Sequence, residues 1–335
     1  MTKRDLAIDL GTANTLVYQS GQGIVFDEPT VLAVSRTGHV LAVGREAEER
    51  LAGTPGDVLG IRPLQRGAIT DFELTREMIR LVLRKVGAGR LAKPRVLVCV
   101  PSLLTPVERR AVEEAVVAAG AKSAALIDEP LAAAVGAGLP IHEPLGNLVV
   151  DVGGGTSEIA VLAMGGIVLG RSIPIGGFDM DGAIQRHVKR RYGVTIGDRA
   201  AERVKIDVGS AYPASDARDT EVRGRDMGSG MPTIVTLAPG EVREALAEVV
   251  NAIVGATREA LAESPPDLAQ DVLETGLFLT GGGAMLRGLD MRVAQECEVP
   301  VHLTELPLAT VVLGAGHLLD SLPDYGPFLA GQRSG

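Results

Sequence analysis

Only two cysteines occur in 335 residues, and neither has metal-type spacing: Cys99 sits inside the apolar run Val96 to Val100, and Cys297 lies between Glu296 and Glu298. Cys99 therefore reads as a buried strand residue, and a reducing cytoplasm is the expected setting. The five histidines, His39, His142, His187, His302 and His317, show no HxH or HxxH pairing, which disfavours a zinc site. Net positive charge is missing too. At −9 the chain has no long-range pull on a phosphate backbone, so nucleic acid is not expected as a partner. No apolar stretch reaches the roughly 18 to 20 residues that a bilayer span requires, and Met1 to Asp5 pass straight into a strand without a signal-peptide core. A GxxxxGK[ST] loop is also lacking, which excludes a P-loop.

What the chain does have is one short pattern twice. Leu6 to Tyr18 contains Asp9, Gly11, Thr12, Ala13 and Asn14, and Leu148 to Val161 contains Asp151, Gly153, Gly154, Gly155 and Thr156. Each copy reads as an apolar strand ending in Asp, a Gly/Thr turn and a second strand. Each therefore sets one carboxylate beside exposed backbone N–H groups at a hairpin tip. Such turns form donor nests for phosphate oxygens, and the neighbouring carboxylate reaches a cation. Magnesium suits that role, because it keeps most of its waters and is held through one or two carboxylates plus phosphate. Asp9 and Asp151 are the candidates. A Rossmann reading of Gly153 to Gly155 fails, since strand and not helix follows the turn. A third glycine run, Gly281, Gly282 and Gly283, links an apolar strand to a helix and would let a flat base approach the backbone, with Met285 against its face.

The remaining chain alternates strands with helices. Strands are expected over 24–34 and 39–43, then a helix over 77–86 capped by Thr75. A β-α-β passage follows: a strand over 95–100, a helix opening at Thr105, Pro106 and Glu108 and closing at Gly120, and a strand over 124–127. Small residues make a helix of 131–138. Past the second hairpin, 167–175 extends its sheet, and helices are expected over 180–192, over 198–208 with Ala201, Val204 and Val208 on one face, and over 241–263. The polar, Gly-rich span 209–232 predicts an exposed hairpin, and 331–335 a loose tail.

Asp9-Leu-Gly-Thr, Asp151-Val-Gly-Gly-Gly-Thr and Leu279-Thr-Gly-Gly-Gly are similar to the two phosphate motifs and the adenosine motif of the actin, hexokinase and heat-shock-chaperone ATPase superfamily. Within it the chain resembles the bacterial actins of the MreB/Mbl group. Ile61 to Leu64, Asp71-Phe72, Asp128 to Ala134, Gly136 to Pro140 and Gly240 to Ala245 carry that likeness, which runs from about residue 5 to about residue 320. It implies an α/β, two-lobed actin-like fold, a duplicated ribonuclease H-like plan with the nucleotide cleft between lobes. Lobe I would be 1–146 with a smaller subdomain near 31–72 and a returning helix near 308–320. Lobe II would be 147–307 with a smaller subdomain near 182–240, and 321–335 a tail.

By position, the resemblance implies that Glu129 orients the attacking water and Thr156 assists at the γ-phosphate. It also implies that Glu202 and Lys205 flank ribose and adenine, with ATP or ADP and Mg2+ as cofactors. From spacing alone, Glu202 and Lys205 read instead as a solvated helical pair. The resemblance further implies a slow ATPase that assembles into paired protofilaments of itself on the inner face of the cytoplasmic membrane. There it would meet cell-shape membrane proteins and help organise wall synthesis. Leu91, in the turn 87–94 between Arg90 and Lys93, is the single large apolar side chain available for weak membrane contact. Three rivals stand: a small-molecule kinase of the same superfamily, for which no acceptor-site insertion is evident; a chaperone-type ATPase, which would carry a further substrate domain; and a non-hydrolysing nucleotide-dependent scaffold.

Overall fold

The computed structural model describes residues 5–53, 56–88, 93–213 and 218–321. Its frame is one sheet plan used twice. The first sheet runs Ser123–Asp128, Arg95–Val100, Leu6–Leu10, Asn14–Gln19, Gly23–Pro29, and the second runs Val301–Leu303, Leu277–Thr280, Asn147–Val152, Ser157–Ala163, Gly166–Ile173. In both, the first three strands are mutually parallel, the fourth is antiparallel to the third, and the fifth antiparallel to the fourth. Smaller sheets are formed by Leu32–Ser35 with its neighbours Val40–Val43 and Val58–Ile61, and by Val194–Thr195 with Thr220–Asp226 and Pro232–Leu237. This is the two-lobed actin architecture.

Strand alternation explains where the carboxylates go. Both central strands are covered on both faces, so their residues divide between two apolar layers. Leu6, Ile8 and Leu10 join one core and Leu148, Val150 and Val152 another, whereas Ala7 and Val149 belong to a third layer shared by the two sheets. Asp9 and Asp151 have the parity of Ala7 and Val149. Both therefore face the space between the sheets, at the carboxyl ends of parallel strands where α/β folds bind ligands. The shared layer is filled by the helices Glu129–Gly136 and Thr310–Asp320. They cross so closely that a Cβ on Gly136 would strike the Thr310 carbonyl oxygen, and one on Gly314 the Ala132 carbonyl oxygen. Glycine at both positions is what permits that approach.

Several expected elements stand as read. Asp198–Val208 is helical with Ala201, Val204 and Val208 buried, and Pro106–Ala118 opens with a capping box in which Thr105 and Glu108 bond reciprocally. Others differ. The cap of the first long helix is Asp71, not Thr75: Asp71 Oδ1 accepts from Leu74 N at 2.9 Å and the helix covers Phe72–Lys85. Thr75 is buried inside it, its hydroxyl donating to Asp71 O at 2.7 Å. The hairpin expected within 209–232 spans Thr220–Leu237, while Ser210 and Ala211 are buried beside Arg287. Helices Arg45–Gly53 and Pro266–Thr275 were not anticipated. Leu91 and the tail 322–335 lie outside the described residues.

Candidate functional site

A cleft of about 720 Å3 opens between the lobes, lined by Asp9, Gly11, Thr12, Ala13, Asn14, Glu129, Asp151, Gly153, Gly154, Gly155, Thr156, Glu202, Lys205, Gly281, Gly282, Gly283 and Met285. Every site residue singled out from the sequence, Leu91 aside, thus borders a single cavity. The two hairpin tips touch across it. A Cβ on Gly154 would come within 2.6 Å of the Ala13 Cβ, and one on Gly155 within 3.0 Å of Thr12 Oγ1. The second tip is glycine because the first tip's side chains occupy the space.

Backbone bonding fixes which groups face the cavity. Gly177 N donates to Gly153 O at 3.0 Å and Phe178 N to Gly154 O at 2.8 Å, so the start of helix Gly177–Tyr192 takes up the second tip's carbonyls. On the first tip, Thr30 N donates to Ala13 O at 2.8 Å and Thr30 Oγ1 to Gly11 O at 2.6 Å. The N–H groups of Thr12 and Ala13, and of Gly154, Gly155 and Thr156, have no acceptor among the described residues. Two arrays of free donors meeting across a cleft suit an anion with several oxygens.

The same cavity holds three carboxylates. Burial lifts Asp9 from 3.8 to about 7. Asp151 also rises to about 7, through burial and then the charges of Asp9 and Glu158. Glu129 is raised well above the usual carboxylate range by burial, then by Asp9, Asp151, Glu158 and Asp128. A cation placed here would relieve the repulsion that otherwise draws in protons. Among the described residues no three His, Cys, Asp or Glu side chains converge closely enough to ligate a metal ion directly. Buried carboxylates of this kind suit a cation, and magnesium is usually held through one or two of them with its remaining waters.

The neighbours separate the acidic residues by role. Asp128 caps the helix Glu129–Gly136 only through its backbone, its side chain being paired with Arg109, which leaves Glu129 as the cleft carboxylate. Glu158, opposite Asp151 in register, is 1% exposed and accepts from Ser102 N at 3.3 Å, Ser102 Oγ at 2.7 Å and Ser172 Oγ. At the other end, Lys205 does not pair with Glu202 as spacing alone suggests. Its ammonium lies 2.9 Å from Asp181 Oδ1 and 3.2 Å from Gly177 O, while Glu202 is exposed. Asp181 itself is raised, burial outweighing the attraction of Lys205.

Sequence reasoning gave no role in this wall to Arg62 and Phe178, nor to Asp181, the partner of Lys205. The Arg62 guanidinium donates to Thr30 O at 3.1 Å and to Thr12 O and Ala13 O at 3.4 Å, and its centre lies 4.9 Å from the Phe178 ring centroid. Arg62 lies in the segment Ile61 to Leu64 that carries the family likeness, but the segment gives it no role. No spacing rule links it to partners 32 to 50 residues back and more than 100 ahead.

The sequence profile described as MreB/Mbl protein matches residues 3–325. The cell shape-determining protein MreB of Escherichia coli K12 is 47% identical over 333 residues, covering 97% of this chain and 96% of that protein. The cell shape-determining protein Mbl of Bacillus subtilis is 45% identical over 324 residues, covering 96% and 97%. Among solved structures, MreB5 of Spiroplasma citri bound to ADP superposes with a TM-score of 0.91 at 31% identity, covering 100% of this chain and 99% of that one. A MamK double helical filament, 20% identical with a TM-score of 0.79, shares the fold. With near-complete coverage in profile, relatives and structure, the chain belongs to the MreB/Mbl family of actin-like, cell shape-determining proteins.

Proposed function

We propose that this chain binds ATP with magnesium in the interlobe cleft, hydrolyses it slowly, and assembles with copies of itself into filaments that support cell shape at the inner face of the cytoplasmic membrane. The observation that carries the reading is the contact of two Asp-bearing hairpin tips, each with free N–H donors, across one cavity that also holds Glu129. The relative from Spiroplasma citri, described as bound to ADP, supports a nucleotide as the ligand. The lobe boundaries we adopt are 1–146 with 308–320, and 147–307, with smaller subdomains near 31–72 and 182–240.

In this reading Asp9 and Asp151 would hold magnesium, and the N–H groups of the two tips would receive the phosphate oxygens. Once bound, the metal would supply neutralising charge to the phosphates. Glu129 orients the attacking water. Thr156 donates toward the γ-phosphate. Gly281 to Gly283 and Met285, which is 55% exposed in the cleft, receive the base, with Glu202 and Lys205 on the ribose side. Phosphoryl transfer to water asks for positioning and charge stabilisation more than for covalent help, and these residues provide both.

Glu129→Ala should keep nucleotide affinity within about threefold and lose hydrolysis by about a hundredfold or more, the scale of removing a positioned acid–base group. Phosphate release under single-turnover conditions measures it, and an unchanged rate rejects the role. Polymerisation is tested by ATP-dependent sedimentation, and membrane association by co-flotation with anionic vesicles.

A further inference from the structure

We infer that Arg62 and Phe178 form a catch across the mouth of the cleft, and that this contact sets how long a bound nucleotide stays. The inference rests on the nucleotide reading above and adds a role for two residues to which the motifs assign none.

The geometry gives Arg62 two functions at once. Through Nη1 it gathers three carbonyl oxygens, Thr12 O, Ala13 O and Thr30 O, which fixes the backbone of the first hairpin tip. Its guanidinium face lies over Phe178, the second residue of the helix that bonds to Gly153 and Gly154 of the opposite tip. One planar cation therefore joins the backbone of one tip to the helix that holds the other, and the tips cannot move apart without separating the guanidinium from the ring. No carboxylate lies within ion-pair distance of Arg62 among the described residues. Burial lowers its proton affinity, partly offset by the more distant Glu48, Glu202 and Asp198. A guanidinium held by carbonyls and a ring, largely out of water, makes a stronger cation–π contact than an exposed one.

A second bridge crosses the mouth nearby. Arg199, on helix Asp198–Val208, reaches Glu48 of helix Arg45–Gly53, with Nη2 at 3.5 Å from Glu48 Oε2 and 3.3 Å from Glu48 O. The Arg199 side chain is 61% exposed. Solvent screening makes such a pair weak. The two bridges thus rank clearly: Arg62 with Phe178 holds, and Arg199 with Glu48 contributes little.

The test is the dissociation rate of a fluorescent ATP analogue with magnesium, chased by excess unlabelled ATP, on the full chain. Arg62→Ala and Phe178→Leu should each release it about tenfold faster, the size expected of a desolvated cation–π contact. The double variant should release no faster than Arg62→Ala alone, because both changes break one contact. Arg62→Lys, which keeps charge without the planar fork, should fall between wild type and Arg62→Ala, and Arg199→Ala should stay within about twofold of wild type. Melting of the nucleotide-free variants separates folding from retention. A variant that melts earlier yet releases nucleotide at the wild-type rate overturns the catch, as do multiplying effects of the two substitutions. If wild type itself retains no analogue, the nucleotide reading fails, and the catch with it.

Discussion

The two hairpins are copies in topology and opposites in what they carry. Across from Asp9 stands Leu16, and across from Asp151 stands Glu158. The first tip offers Thr12 and Ala13 as knobs, and the second offers Gly154 and Gly155 as holes. The first is pinned by a cation, Arg62, at its carbonyls; the second by helix N–H groups at Gly153 and Gly154. The two tips share one topology, and their difference in side-chain size lets them close on each other. The added charge of Glu158 gathers on the second side, where Ser102 and Ser172 hold it.

Making the copies alike should break the arrangement, most severely where charge is involved. Leu16→Glu would place a carboxylate at a site 3% exposed, within the apolar layer shared by the two sheets. A loss of about 3 kcal/mol or more is expected, read by denaturant unfolding, because an unpaired buried charge is among the costliest substitutions. A smaller loss follows from filling a hole. Gly154→Ala should weaken ATP binding by about tenfold to a hundredfold, since overpacking costs roughly 1–3 kcal/mol. Adding Ala13→Gly should recover most of it. Calorimetric titration of the single and double variants checks the knob-and-hole claim, which fails if Ala13→Gly gives no recovery.

The mildest test uses pH on nucleotide-free, metal-free protein. Asp9 and Asp151 titrate near 7 in the folded state and near 3.8 unfolded. Between about 4 and about 7 the folded state therefore binds more protons at these two groups, so stability should fall as pH rises through that window. Asp9→Asn or Asp151→Asn should each flatten the slope in the melting temperature, and the double variant should flatten it further, leaving the part carried by Glu129 and Asp181.

Much of this was legible in the sequence because it is local. An Asp-Gly turn between apolar strands, a Thr105–Glu108 capping box and the 3.6-residue period of Ala201, Val204 and Val208 each announce themselves within a dozen residues. What stayed hidden depends on distant partners. Lys205 looks like a mate for Glu202 until Asp181 is brought beside it, and Arg62 has no meaning before Phe178 is in place. Helices Arg45–Gly53 and Pro266–Thr275 escaped for a different reason. Each buries a single residue, Ala47 and Val272 respectively, so neither writes an apolar period. Thr75 resembled a cap because it precedes an apolar stripe, yet Asp71 had already begun the helix one turn earlier.

The central claim is that Asp9 and Asp151, on opposed tips, hold one magnesium nucleotide between the lobes. Titration calorimetry of ATP into the purified chain, with and without magnesium, tests it most directly. The account predicts one nucleotide bound per chain, dependent on magnesium and lost in both Asp9→Ala and Asp151→Ala. Binding that persists undiminished in either variant, or no heat with wild type, would contradict it.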